Sequence, residues 1–371
     1  MFVFLCFCVF QYLQKLFSDA PGLDAFGEQL FEYNEVVQIP LQPLMDNLQN
    51  ATYDVFEKDR MKYYFVESVE RDSCILPSRS NVFSSLSLSF AARIVITLVG
   101  AGRGPLIVCS LNAAKRTRRE IVVYAIEKNP NAIQTLRAMH KQLQWGERVH
   151  IVEADMRLYQ PEYYSDVILS ELLGSFADNE LSPECLIGAQ RFLLAGGLFV
   201  PHNSTSLMAC CMSTKIYENV IRKVSPLLVS KPLEATYVVK IHAAALLSDV
   251  QPVFTFHHPD QRNGDFRCFK QVILHVQMDG IVHGFSGYFE SDLSDHVKLS
   301  IAPESHSMNL VSWFPLFIPI DTPFYVHKGE RVVVNLWRRT DKKRVWYEWA
   351  VVSPIQTQIH NVNGRGQWIG L

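Results

Sequence analysis

The run Gly100-Ala101-Gly102-Arg103-Gly104-Pro105, directly behind the apolar hexamer Ile94–Val99, constrains this chain more than any other feature. Glycines spaced this way let the backbone turn tightly and let a ligand approach it closely. Such a turn belongs at the carboxyl end of a buried parallel strand, where an open sheet binds its ligands. A dinucleotide fingerprint would put its third glycine at position 105, which holds Pro105, so a nicotinamide dehydrogenase is disfavoured.

The surrounding pattern is that of an α/β protein. Ile94–Val99, Ile121–Ile126, Val149–Val152 and Asp166–Ser170 read as short buried strands, and Asn129–Leu143 between two of them has helical spacing. A further helix is expected over Glu180–Leu194, stopped by Gly196-Gly197. Beyond Pro201 the character changes. Tyr237–His242, Val253–Phe256, Gln271–Gln277, His283–Phe289, Val297–Ile301, Val332–Arg338 and Val345–Val352 read as strands separated by Pro, Gly, Asn and Asp. The expected architecture is a Rossmann-like domain over 39–200 followed by an antiparallel β-barrel over 201–371. The Ser-rich stretch Asp72–Ser89, interrupted by Pro77, shows little periodicity.

Composition narrows the function. The 371 residues exceed one ordinary domain, and a 48% hydrophobic fraction can fill two cores. A formal charge of -2 argues against direct nucleic-acid binding by phosphate neutralisation, yet leaves room for an acidic pocket that takes a basic protein substrate. Eight cysteines lack the paired spacing of a zinc site or a disulfide framework, so reduced thiols and no metal are expected. Met1–Phe10 is almost wholly apolar, but the first cation, Lys15, follows it rather than precedes it, which argues against a signal peptide. No run reaches the ~18 apolar residues of a membrane span.

Chemistry enters at the strand ends. Glu127 closes the second strand, where a carboxylate can accept from both hydroxyls of a ribose. Asp155-Met156 follows the third, placed for an adenine's exocyclic amine and ring face. Each acid alone also fits a solvated strand end or a helix cap; three elements in register favour a nucleoside site. After the fourth strand, Glu171 and Glu180 bracket a hairpin-like loop. Two converging carboxylates match the planar fork of a guanidinium, which arrives protonated because its pKa exceeds ~12. The pair can localise the cation's charge on one side and leave the facing nitrogen free to attack a methyl donor, while one carboxylate receives the departing proton. Glu180 alone could simply open a helix; Glu171, at the end of a buried strand, has no such role.

Ser170–Leu186, with Gly174-Ser175-Phe176 and Asn179-Glu180-Leu181-Ser182-Pro183-Glu184, resembles the double-glutamate loop of the type II protein arginine methyltransferase family, which makes symmetric dimethylarginine. Pro40–Leu48, Thr52–Asp59, Ser312-Trp313-Phe314-Pro315, Val345–Ala350 and Ile369-Gly370-Leu371 extend the resemblance from about Ile39 to the end. It implies a class I methyltransferase domain, a barrel for substrate binding and dimerisation, and residues 1–38 as the remnant of an amino-terminal domain with its linker. It also implies S-adenosylmethionine as cofactor, with S-adenosylhomocysteine as product. Tyr53, Lys62, Tyr63, Gly100, Gly102, Glu127, Asp155 and Met156 would hold it, and Glu171 and Glu180 would be catalytic. Phe56 would sit by the acceptor nitrogens, where phenylalanine is associated with the symmetric product, and Trp313 would lie along the arginine stem. Implied partners are Arg/Gly-rich proteins such as histones and Sm-type spliceosomal proteins, further copies of the chain, and a WD-repeat protein whose docking domain, a TIM barrel, is absent here. Cytoplasmic and nuclear localisation would follow. Phe65–Ala92 and the apolar Val224–Lys231 depart from the family pattern. The alternative expectation is a catalytically silent regulatory or interaction fragment of the same family.

Overall fold

The computed structural model describes residues 11–16, 18–19, 30–75, 93–223 and 231–371. Strands β1 (Ile94–Val99), β2 (Ile121–Glu127), β3 (Val149–Glu153), β4 (Ser165–Ser170) and β5 (Leu193–Val200) form one parallel sheet in the order β3-β2-β1-β4-β5. Strand order reverses between β1 and β4, and that switch point opens a crevice at their carboxyl ends. Val99 pairs with Ile126 on one side and Ser170 on the other, so Gly100, Glu127 and Glu171 all leave the sheet at one level. The four anticipated strands are present within about a residue of their expected bounds.

Helices α1 (Asn50–Lys58) and α2 (Arg60–Ile75) lead into the sheet; α3 (Pro105–Thr117) follows the glycine turn. The anticipated helix after β2 is α4 (Pro130–Gln142), and its start is explained locally. Asn129 caps it by accepting from the Asn131 amide at 3.0 Å, and Pro130 takes the first-turn position where no amide partner is needed.

The second half is antiparallel. β7 (Tyr237–Val238), β13 (Leu316–Val326), β11 (Gly280–Asp292), β6 (Asn203–Met212) and β8 (Ala245–Leu246) are ordered β7-β13-β11-β6-β8, with β9 (Gln251–His257) on β6 and β12 (Lys298–Ser300) on β11. A second sheet runs β10 (Cys268–His275), β14 (Arg331–Thr340), β15 (Arg344–Ser353) and β16 (Ile369–Gly370). Phe285, Ile318, Leu336 and Trp349 of these sheets share one apolar core with Val99, Ile126 and Ile168 of the parallel sheet. The barrel is therefore packed directly on the domain that carries the glycine turn.

Several expectations are corrected. The helix foreseen over Glu180–Leu194 is only α5 (Ser182–Ala189); a short turn at Gln190–Phe192 leads into β5, and Gly196-Gly197 lie inside that strand. Gly197 is needed there because a Cβ would meet Leu193 Cδ1 at 2.7 Å and the Asp166 carbonyl at 2.9 Å. The strand foreseen over Tyr237–His242 shrinks to β7, with a single bridge from Lys240 to Asn34 beyond it. β6, β13 and the helix α6 (Thr214–Lys223) were not anticipated. Of the divergent stretches, Phe65–Ile75 belongs to α2; residues 76–92 and 224–230 lie outside the described residues, as does Met1–Phe10. Among the described residues no helix is long and apolar enough to cross a membrane.

Candidate active site

A cavity of about 610 Å³ opens at the switch point, bounded by the strand ends, α1, the start of α2 and the barrel segment Val311–Phe314. Every site residue singled out in the sequence lines it except Asp155.

One end is built on backbone. Gly104 adopts φ +100° as it caps α3, and a Cβ there would sit 2.9 Å from Leu136. Glu127 is 6% exposed; its Oε2 accepts from the Gly102 amide at 2.8 Å, and its Oε1 accepts from the amides of Lys128 (2.8 Å) and Asn129 (2.7 Å). Burial raises its pKa more than those amides lower it. Tyr53 lies beside Gly102, its hydroxyl accepts from Asn129 Nδ2 at 3.1 Å, and burial pushes its pKa up to about 12, so it stays neutral. Met156 reaches the cavity, its methyl 3.6 Å from where a Gly100 Cβ would stand. Asp155 does not line the cavity and pairs with Arg157, which donates to its Oδ1 from Nε at 3.0 Å and to its Oδ2 from Nη2 at 2.7 Å. Burial raises the Asp155 pKa, but the Arg157 hydrogen bonds and charge outweigh it and leave the carboxyl low. Asp155 is thus the one expected cofactor residue that does not line the cavity, and its carboxylate is engaged by Arg157.

Sequence reasoning missed Arg103, although it stands inside the glycine run. Its guanidinium donates to Glu57 (Nε at 2.8 Å, Nη2 at 2.6 Å) and to Asp54 (2.6 Å), fastening α1 over the glycine turn. Hydrogen bonding to Glu57 holds this cation above its usual range.

The other end gathers charge and aromatic faces. Lys62, 2% exposed, places its Nζ 3.0 Å from Glu171 Oε2 and 5.2, 5.0 and 5.1 Å from the ring centroids of Phe56, Tyr63 and Trp313. Three π faces and a carboxylate thus surround the chain's own ammonium at this end. Trp313, at φ +65°, is fixed by its Nε1, which donates to the Leu173 carbonyl at 2.6 Å.

Glu180 is half-buried, lines the cavity, and has no hydrogen-bond or ion-pair partner among the described residues. Burial, and then the charge of Glu171, push its pKa up to about 8 against the opposing pull of Lys62. It does not open a helix: Leu181 is the N-cap of α5, and the first-turn acid is Glu184. Glu180 follows a tight hairpin in which Gly174 and Ala177 exchange backbone hydrogen bonds of 3.0 Å. A Cβ at Gly174 would lie 2.3 Å from Asn179 Oδ1, the acceptor for the Phe176 amide, so the Asn179 side chain would have to shift. An unpartnered carboxylate beside a second carboxylate and a ring of aromatic faces can hold a planar cation.

Among the described residues no group of His, Cys, Asp and Glu could hold a metal ion. The thiols of Cys185 and Cys210 are buried and pushed up to about 12, too high to supply a nucleophile near neutral pH.

Comparison with known proteins matches residues 27–200 to the family described as PRMT5 arginine-N-methyltransferase and residues 203–369 to the PRMT5 oligomerisation domain. Protein arginine N-methyltransferase 5 of Xenopus laevis is 43% identical over 370 residues, which cover 97% of this chain and 56% of that protein. Its namesake in indica rice is 41% identical over 364 residues, 97% of this chain and 54% of its own. The chain thus spans about half the length of the curated relatives it matches. Among solved structures, the Trypanosoma brucei PRMT1 enzyme-prozyme heterotetrameric complex with AdoHcy is similar at TM-score 0.63 and 15% identity, covering 85% of this chain and 98% of that one. Arabidopsis thaliana protein arginine methyltransferase 10 is similar at TM-score 0.63 and 16% identity, with 84% and 94% covered.

Proposed function

The chain belongs to the protein arginine N-methyltransferase 5 family, and from that premise we propose that it moves a methyl group from S-adenosylmethionine to the guanidinium of protein arginines. One observation carries the reading: a single cavity joins the Gly102–Glu127 end to the Glu171–Glu180 end. The residues present fit the cofactor. Gly100 and Gly102 leave a side-chain-free floor, Glu127 keeps acceptor capacity for a ribose diol, Met156 offers a thioether to a base, and Tyr53 and Tyr63 close the near side. S-adenosylmethionine bound there supplies an electrophilic sulfonium methyl.

The chain's own residues do the rest. Glu171 and Glu180 hold the acceptor cation and keep its charge away from the nitrogen that attacks. An incoming guanidinium favours the ionised form of Glu180, lowering a pKa that stands at about 8 without it. The ionised carboxylate is then ready to receive the proton that the nitrogen loses. Trp313 packs along the arginine stem, and Phe56 restricts the space beside the acceptor nitrogens, which supports the symmetric product. Arg/Gly-rich tails of histone and Sm type suit such a site because they are flexible and basic. The match to an oligomerisation domain supports a homo-oligomer.

The test is to incubate the protein with methyl-labelled S-adenosylmethionine and an Arg/Gly-rich peptide, then hydrolyse the peptide and separate the methylarginines. Label in monomethyl- and symmetric dimethylarginine is expected. Asymmetric product alone would overturn the role given to Phe56. No transfer by a protein that binds the cofactor would overturn catalysis and leave a silent regulatory module.

A further inference from the structure

Behind the cavity lies a charged cluster that the mechanism above does not use. Arg338 of β14 is fully buried. Its Nε donates to Asp178 Oδ2 at 2.5 Å, and its Nη1 and Nη2 donate to Glu184 Oε1 and Oε2 at 2.7 and 2.9 Å. Tyr347 of β15 donates its hydroxyl to the same Asp178 oxygen at 2.6 Å, and Ser206 of β6 donates to Asp178 Oδ1 at 3.2 Å. The guanidinium also stands 5.3 Å from the Phe256 ring centroid.

Asp178 and Glu184 flank Glu180 in sequence, so one guanidinium of the barrel grips the chain on both sides of the unpartnered carboxylate. Removing two carboxylates and a guanidinium from water is costly, and apolar packing could hold the domains together at less expense. What bidentate ion pairing adds is geometric definition. The loop needs it, because Ala177 and Leu181 have left-handed backbones (φ +60° and +65°), a conformation that persists only where the surroundings over-determine it. Phe176, between them and the barrel, packs edge-on against Tyr347 at 5.8 Å.

We propose that Arg338, Asp178, Glu184 and Tyr347 form a positioning network through which the barrel sets where Glu180 stands in the acceptor site. None of the four touches the reacting atoms. The catalytic consequence rests on the methyl-transfer reading; the mechanical one does not.

The experiment compares wild type with Tyr347→Phe and Glu184→Gln in the full chain. It measures kcat, both KM values, melting temperature and amide hydrogen exchange over residues 174–181. The expected result is a kcat about tenfold lower with the KM for S-adenosylmethionine within about twofold. Exchange should accelerate about tenfold in 174–181 but not in β1 to β4. Wild-type kcat and unchanged loop exchange in both variants would overturn the proposal. So would exchange that rises equally across the parallel sheet, since that marks a merely structural role. If wild type transfers no methyl group, the methyl-transfer reading fails, and exchange still decides: selective loosening of 174–181 supports the network and an unchanged loop overturns it. Should Tyr347→Phe fail to fold, Glu184→Gln, whose side chain is partly exposed, is judged on the same readouts.

Discussion

On the parallel-sheet wall of the cavity, Gly102 and Glu127 are joined by a 2.8 Å hydrogen bond between neighbouring strand ends. On the opposite side, Glu180 makes no comparable bond among the described residues, and the chain around it is held by side chains of the barrel. The first wall is fixed by backbone close at hand. The second is fixed across a domain boundary, at the cost of burying charge. On the proposed reading, the difference makes cofactor binding and acceptor positioning separable properties of one cavity, and variants can test that separation.

The largest effect is expected from Glu180→Gln. If this carboxylate orients the acceptor and takes its proton as proposed, its loss should lower kcat about 10²- to 10⁴-fold, while S-adenosylmethionine affinity measured by calorimetry stays within about threefold. A collapse of cofactor affinity would break the comparison. Glu127→Gln should do the reverse. Losing charge-assisted hydrogen bonds of about 1.5–3 kcal/mol should raise the cofactor's Kd roughly ten- to hundredfold and leave the peptide KM nearly unchanged. Trp313→Leu should raise the peptide KM about tenfold through lost contact with the arginine stem. An equal rise in the cofactor KM would show that the walls are not separate.

A subtler test uses pH. Glu180 must be ionised to take the cation and its pKa is raised, so kcat/KM should climb with pH through about 8. The limb for kcat should sit lower, because bound guanidinium favours the carboxylate. Lys62 pulls the Glu180 pKa down and Glu171 pushes it up, so Lys62→Met should move the kcat/KM limb to higher pH and Glu171→Gln should move it lower. A flat profile from pH 6 to 9.5 would remove Glu180 from proton transfer. The same shift carries a stability sign. Glu180 keeps a proton that the unfolded chain releases near its ordinary value of 4.5, so stability is greatest below that and falls as pH rises toward 8.

The cofactor wall was the more legible one, for a physical reason. An apolar strand, a glycine turn and an acid at the next strand's end are local signals, and pairing of β1 with β2 brings them together almost automatically. The barrel wall depends on pairs remote in sequence, such as Arg338 with Asp178, 160 positions apart, which no local pattern announces. β13 was hidden by Pro319 and Pro323, which read as strand breakers; Pro319 pairs with Gly284 beside a register shift in β11. β5 was missed because the expected helix ran on to Leu194 and Gly196-Gly197 read as its stop, whereas both glycines lie inside the strand. The partner of Asp155 stands only two residues away in the sequence, yet nothing there says that Arg157 folds back onto it.

The central claim is that Glu171 and Glu180 act on one cation as a unit. It is tested most directly by turnover of an Arg/Gly-rich peptide with Glu171→Gln, Glu180→Gln and the double variant. Residues acting as a unit are strongly non-additive, so the double variant should fall no more than about tenfold below the worse single one. Losses that multiply, or a single variant that keeps wild-type turnover, would contradict the account.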